Sequence, residues 1–223
     1  MPKYPRHMSS RAMVIVAGGS STRFGSDKLM ADVEGQPLIS HTVAAVQAHV
    51  SRIVIACRPE LIDSVSELHP EVTVAPGGAT RTLSEMAGLA ALGEEYDLIG
   101  IHDAARPVLR GILVDRLFRI ATRSGGAVPV LEPDDLLVDR ASLRPAPGVR
   151  RAQTPQVFRG PELMSAYVRA AQAGFEGLDT ADVMQQFSDV TIVGMPGDRT
   201  NLKVTYPADL EMVRERVRAR SRT

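Results

Sequence analysis

The strongest constraint on this chain is an alternation. Short apolar runs take turns with amphipathic helical patterns along its first 130 or so residues. "AMVIVAG", "RIVIAC", "VTVAP", "YDLIGIH" and "GAVPVLE" read as buried strands. Between them lie "PLISHTVAAVQAHV", with Pro37 near its start, "PELIDSVSELH", "TLSEMAGLAAL", capped by Gly93, and "ILVDRLFRIATRSGG", all of which read as helices. Strands this apolar have no wet face, and the helices between them must cover both sides. The pattern predicts an α/β fold: a mostly parallel sheet, helices on both faces, right-handed crossovers.

The rhythm breaks at "PDDLLVDRASLRPAPG", residues 133–148, which carries three prolines and no helical period. It reads as a surface loop or an extended arm reaching from the sheet. Regular structure returns with "PELMSAYVRAAQAG", "DTADVMQQF", "VTIVG" and a last helix from about Pro207, whose basic end suits the helix dipole. No repeat or low-complexity tract divides the 223 residues, so a single domain over 1–223 is expected.

Composition removes several alternatives. Lysine plus arginine is 26 and aspartate plus glutamate is 26, so no bulk charge favours nucleic acid or an anionic membrane. Cys57, the one cysteine, ends an apolar run and reads as a small buried residue. No apolar run approaches the ~20 residues of a membrane span. "MPKYPRHMSS" lacks the apolar core of a signal peptide, and a cytoplasmic location is the expectation.

Ligands of open α/β sheets bind at the carboxyl ends of the strands. Four polar stretches fall there. Residues 18–28 are neither the dinucleotide fingerprint nor a Walker loop, because the glycine spacing fits neither. They do offer the backbone N–H groups of Gly18, Gly19 and Ser20 to a phosphate, with Arg23 as a planar fork and Lys28 as a mobile point charge. The plain alternative is a glycine-rich turn with solvated charges. Residues 77–84 hold two glycines, Arg81 and, in the helix that begins here, Ser84; a turn and helix cap would look the same. In residues 102–107, Asp103 ends an apolar strand, where a carboxylate suits Mg²⁺ travelling with a nucleoside triphosphate; it could equally cap the next turn. Arg106 could meet a substrate phosphate, and His102 reads as structural. In residues 201–205, Lys203 sits in an apolar context and needs an anionic partner if it points inward.

Together, "AGGSSTRFG", "HDAARP", "QTPQVF" and "NLKVT" resemble the 2-C-methyl-D-erythritol 4-phosphate cytidylyltransferases, from about residue 14 to residue 213. The first motif is shared with molybdenum-cofactor nucleotidyltransferases, which often carry the same "GSDK"; "QTPQVF" and "NLKVT" are not required in that family. The resemblance implies a Rossmann-like nucleotidyltransferase fold with an extended β-arm at about 133–152. It implies cytidylyl transfer from CTP to a polyol phosphate, with Mg²⁺ and release of pyrophosphate, and a homodimer formed through the arm. Arg23, Lys28 and Lys203 would be the catalytic cations. Ala17, Gly18, Gly19, Ser20, Gly78, Arg81 and Ser84 would hold the nucleotide. Asp103, Arg106 and Thr154 would face the acceptor, with Asp103 also near the metal.

Three departures accompany the resemblance. Leu136 stands where the family's arm has a threonine on the acceptor phosphate, and Ala146 where it has an arginine. The "PKQ" around the loop lysine reads "SDKLM". Arg144, Arg150 and Arg151 cluster near Ala146 and could supply a phosphate contact across a dimer. Two alternatives stay open: a cytidylyltransferase for another polyol phosphate such as ribitol 5-phosphate, and a nucleotide-binding protein without turnover.

Overall fold

The computed structural model describes residues 9–19, 24–25, 27–135 and 148–221. The elements in chain order are β1 (Arg11–Ala17), β2 (Asp32–Val33), β3 (Gln36–Pro37), α1 (Leu38–Gln47), β4 (Arg52–Cys57), α2 (Ile62–Leu68), β5 (Thr73–Pro76), α3 (Arg81–Ala90), β6 (Leu98–Asp103), α4 (Gly111–Ser124), β7 (Gly125–Leu131), β8 (Arg151–Ala152), β9 (Gln156–Arg159), α5 (Gly160–Gln172), α6 (Thr180–Phe187), β10 (Thr191–Pro196) and α7 (Pro207–Ser221). The predicted strands and helices are all present. The second helical pattern is split: its first residues, Pro59–Leu61, form a 3₁₀ turn before α2.

Eight strands make one sheet in the order β10-β7-β9-β6-β1-β4-β5, with β8 added beside β7. Strand β1 lies parallel to both β4 and β6, β4 parallel to β5, and β7 parallel to β10. Two strands are antiparallel: β9, between β6 and β7, and β8, beside β7. No strand is legible at β9 in the sequence, because "QVFR" is four residues long and falls inside the motif "QTPQVF".

The two-residue period of β1 splits the core. Met13, Ile15 and Ala17 face one layer, with residues of α1, α2, α4 and α7. Ala12 and Val14 face the other, with residues of α3, α5 and α6. In the second layer α3 crosses close over β1: a Cβ on Gly88 would lie 2.3 Å from Val14 Cγ1. Cys57 is buried in the first layer, and burial pushes its thiol up to about 11, as suits a packing residue.

Most of the expected arm, residues 136–147, lies outside the described residues, and so do Leu136, Arg144 and Ala146. Its described return, β8, pairs antiparallel with the end of β7. Arg150 pairs with Glu132 and Arg151 with Asp134, each at 2.6 Å on the surface. Among the described residues no helix is long and apolar enough to cross a membrane.

Candidate active site

The sheet has a switch point at β1. The chain leaves β1 for β4 and β5 on one side, then returns by α3 to β6 on the other. A crevice opens outside the carboxyl ends of β1 and β6, as this topology requires. It holds a cavity of about 510 Å³, floored by Ala17, Gly18 and Gly19 from the end of β1 and closed by the first turn of α3. Lys28, Arg81, Asp103 and Lys203 supply its charged side chains.

Asp103 is the electrostatic centre. Arg81 Nη1 donates to its Oδ1 at 2.7 Å, Arg106 Nε donates to Oδ2 at 3.1 Å, and Lys203 Nζ lies 3.1 Å from Oδ2. Burial pushes the carboxyl up, but Arg81, Lys203 and Arg106 more than offset that and hold it well below the usual carboxylate range. The inward lysine expected at 203 thus has its anionic partner. Its side chain is also 41% exposed, so the ammonium is shared between Asp103 and the cavity.

Behind Asp103 lies a network of buried polar groups. Its backbone N–H donates to Thr154 Oγ1 at 3.0 Å. Thr154 Oγ1 lies 3.0 Å from His102 Nδ1, and His102 Nε2 lies 3.3 Å from the Arg106 carbonyl. A carbonyl only accepts, so Nε2 carries the proton and Nδ1 accepts from the threonine hydroxyl. Complete burial pushes the imidazole down to about 4, and it stays neutral and structural. Thr154 and Arg106, both expected at the acceptor, are spent here: Thr154 on His102, Arg106 on Asp103 and, through Nη1, on the Asn201 carbonyl at 2.8 Å. Neither is among the residues that line the cavity.

Two of the expected nucleotide-side glycines, Gly18 and Gly78, have a steric reason, whereas a Cβ at Gly19 would meet open space. A Cβ at Gly18 would sit 2.6 Å from Ser84 Oγ, and one at Gly78 would sit 2.3 Å from Leu83 Cβ. Ser84 is buried; its hydroxyl lies 2.9 Å from the Thr80 carbonyl and 3.1 Å from that of Gly78, and accepts from the Gly78 N–H at 3.2 Å. Ser84 therefore ties the turn before α3 to the helix, and Thr80 caps that helix by accepting from Leu83 N–H. Gly78 itself is not among the lining residues. Ser20 and Arg23 lie outside the described residues.

Two features escaped the sequence reading. Asp27, inside the unusual "SDKLM", accepts from Arg58 Nη2 at 2.5 Å and from Leu29 N–H at 3.1 Å, which pins the loop just before Lys28. Glu85, in the middle of α3, is fully buried beside Arg81. A loop aspartate and a helical glutamate both read as solvated surface, and nothing local in the sequence distinguishes them.

Among the cavity's lining residues Asp103 is the one carboxylate, and it already has cationic partners. Among the described residues no group of three or more His, Cys, Asp or Glu side chains could hold a metal ion. This donor set fits an Mg²⁺ whose ligands are mostly phosphate oxygens and water, with Asp103 beside it, rather than a metal caged by protein.

The model of the family described as 2-C-methyl-D-erythritol 4-phosphate cytidylyltransferase, IspD, matches residues 11–218. A protein of that name from Dechloromonas aromatica is 36% identical, and the match covers 97% of this chain and 99% of the relative. A bifunctional enzyme IspD/IspF from Rhizorhabdus wittichii is also 36% identical over 96% of this chain, but the chain spans only 58% of that longer protein. The crystal structure of the Thermus thermophilus cytidylyltransferase superposes with a TM-score of 0.77 at 29% identity, covering 92% of this chain and 98% of the other. By sequence and by fold, the chain belongs to the 2-C-methyl-D-erythritol 4-phosphate cytidylyltransferase family.

Proposed function

We propose that this chain transfers cytidylyl groups from CTP to 2-C-methyl-D-erythritol 4-phosphate and releases pyrophosphate, a step of isoprenoid precursor synthesis. The observation that carries this reading is the meeting of Lys28 and Lys203, from opposite ends of the chain, on one cavity at the sheet's switch point. Family membership supplies the identity of the two substrates.

In the reaction an acceptor phosphate oxygen attacks the α-phosphorus. A new P–O bond forms, the bond from the α-phosphorus to the α,β-bridging oxygen breaks, and pyrophosphate departs with its electron pair. No protein nucleophile is needed; positioning and charge suffice. Lys28 and Lys203 neutralise charge that grows at the α-phosphate and on the leaving oxygens, with Arg23 as a third cation from the same loop. Asp103 keeps Lys203 extended toward the cavity and stops it folding away. Ala17, Gly18 and Gly19 present bare backbone to the nucleotide. Mg²⁺ beside Asp103, when bound, supplies further neutralisation of the phosphates. Arg106 and Thr154 act from behind, by holding Asp103 and the loop around Asn201 in place.

We further infer a cytoplasmic homodimer in which the arm completes the acceptor site of the partner. The replacement of the arm's phosphate contacts by Leu136 and Ala146 supports a second reading, transfer to another polyol phosphate such as ribitol 5-phosphate. One experiment separates the readings. With CTP and Mg²⁺, pyrophosphate release is measured against a panel of polyol phosphates. Release with the methylerythritol phosphate alone is the expected result. Preference for a five-carbon alditol phosphate supports the second reading, and CTP binding without release from any acceptor supports a nucleotide-binding protein.

A further inference from the structure

We propose that Glu85 is a positioning residue for nucleotide binding: from inside the protein it fixes the Arg81 guanidinium against Asp103 on the cavity wall. Glu85 is fully buried on α3. Its Oε1 lies 2.9 Å from Arg81 Nε, and accepts from Thr180 Oγ1 at 3.0 Å; Oε2 accepts from the Tyr167 hydroxyl. Arg81 reaches in the other direction with Nη1, which donates to Asp103 at 2.7 Å. The guanidinium is thus clamped between two carboxylates, one inside the core and one at the cavity.

Helix energetics does not account for the pair. Arg81 is the first residue of α3, where the dipole disfavours a cation. The order, arginine four residues before glutamate, is the reverse of the favoured one. A buried carboxylate costs several kcal/mol in desolvation, and a buried ion pair replaced whole by apolar side chains of similar volume often leaves a core no less stable. Burial pushes the Glu85 carboxyl up, against the pull of Arg81, Tyr167 and Thr180. Nor does the guanidinium maximise its own hydrogen bonds: Nε meets Glu85 as an ion pair without hydrogen-bond geometry, and neither Nε nor Nη2, both buried, makes a hydrogen bond among the described residues. What the arrangement achieves is orientation. Tyr167 on α5 and Thr180 at the start of α6 hold the Glu85 carboxylate by hydrogen bonds, Glu85 holds Arg81 by charge at 2.9 Å, and Arg81 Nη1 donates to Asp103 at the cavity.

The inference rests on the cytidylyl-transfer reading for its probe, CTP, and a second readout keeps the two separable. Glu85→Gln and Glu85→Leu are made in the full chain, alone and with Arg81→Met. Calorimetry gives CTP affinity, thermal unfolding gives the midpoint, and nitrogen-15 NMR follows the Arg81 Nε–H signal, assigned by its loss in Arg81→Met. The expected result is that both Glu85 variants still fold cooperatively, with midpoints lowered because Arg81, Tyr167 and Thr180 lose a buried partner, bind CTP at least tenfold more weakly, and show an Arg81 signal broadened by exchange. On the Arg81→Met background the Glu85 changes should alter CTP affinity less than twofold. An unchanged Arg81 signal, or equal losses on both backgrounds, overturns the positioning role. A wild-type chain that fails to bind CTP overturns the cytidylyl reading instead, and the NMR signal still decides the role of Glu85.

Discussion

Lys28 Nζ donates to the Val204 carbonyl at 3.0 Å, across 176 residues of sequence. This bond closes the cavity. It joins the glycine-rich loop after β1 to the segment that carries Lys203, and Lys203 in turn touches Asp103 at the end of β6. Both lysines thereby line the same cavity. Replacing Lys28 by alanine removes a charge from the transition state and one tie between the walls. Loss of a well-placed charge contact costs about 3–4 kcal/mol, or a hundredfold or more in rate. Pyrophosphate release by Lys28→Ala should fall at least that far, with the thermal midpoint little changed; turnover within threefold of wild type would remove Lys28 from the catalytic set.

Asp103→Asn tests the opposite charge. The carboxylate balances Arg81, Arg106 and Lys203, whose side chains are 25%, 11% and 41% exposed. Asparagine keeps the shape and leaves three cations facing one another around a neutral amide. Removing one partner of a buried ion pair costs about 3–5 kcal/mol. Urea denaturation should show a loss at or just below that range, because Lys203 can turn to solvent. A midpoint unchanged from wild type contradicts the view of Asp103 as the electrostatic centre.

Gly18→Ala tests the steric floor of the nucleotide site. The added methyl would meet Ser84 Oγ at 2.6 Å, while Ser84 Cβ stays at an ordinary 3.5 Å. The clash is therefore with one hydroxyl, and that hydroxyl holds the turn at Gly78 and Thr80. The KM for CTP should rise about tenfold in Gly18→Ala, with kcat nearly constant. Adding Ser84→Ala removes the clashing atom and should recover part of the affinity. A double variant no better than the single one would show that the glycine serves another purpose.

The sheet was legible in the sequence because each parallel strand carries its own apolar run and each crossover its own helical period. β9 was not: it is short, and its place between β6 and β7 depends on long-range pairing rather than on local pattern. In the site, Lys28, Lys203, Asp103 and the glycines announced themselves as polar or permissive residues at strand ends. Their partners did not. Nothing around Arg106 or Thr154 tells that both turn inward onto Asp103, His102 and Asn201. Glu85 was invisible for the converse reason: a glutamate inside an amphipathic helix reads as its wet face until α5 and α6 close over it.

His102 provides a test in pH. Its folded value, about 4, lies below the ordinary 6.5 of an unfolded histidine. Between those values the unfolded chain binds a proton that the folded chain refuses, so stability must fall as pH drops from about 6.5 to about 4. The difference corresponds to about 3 kcal/mol at most. Asp103 works in a separate window: its carboxyl is held below the usual range, so the stability it provides persists above pH 3.8 and is lost only under stronger acid. His102→Asn should therefore lower stability at pH 7, through lost contacts with Thr154 and the Arg106 carbonyl, yet flatten the decline between pH 6.5 and 4.5. Denaturant midpoints measured at half-unit steps for both proteins would show it. Parallel curves would mean that the imidazole takes up its proton in the folded chain as readily as in the unfolded one, and that the acid sensitivity of the fold comes from elsewhere.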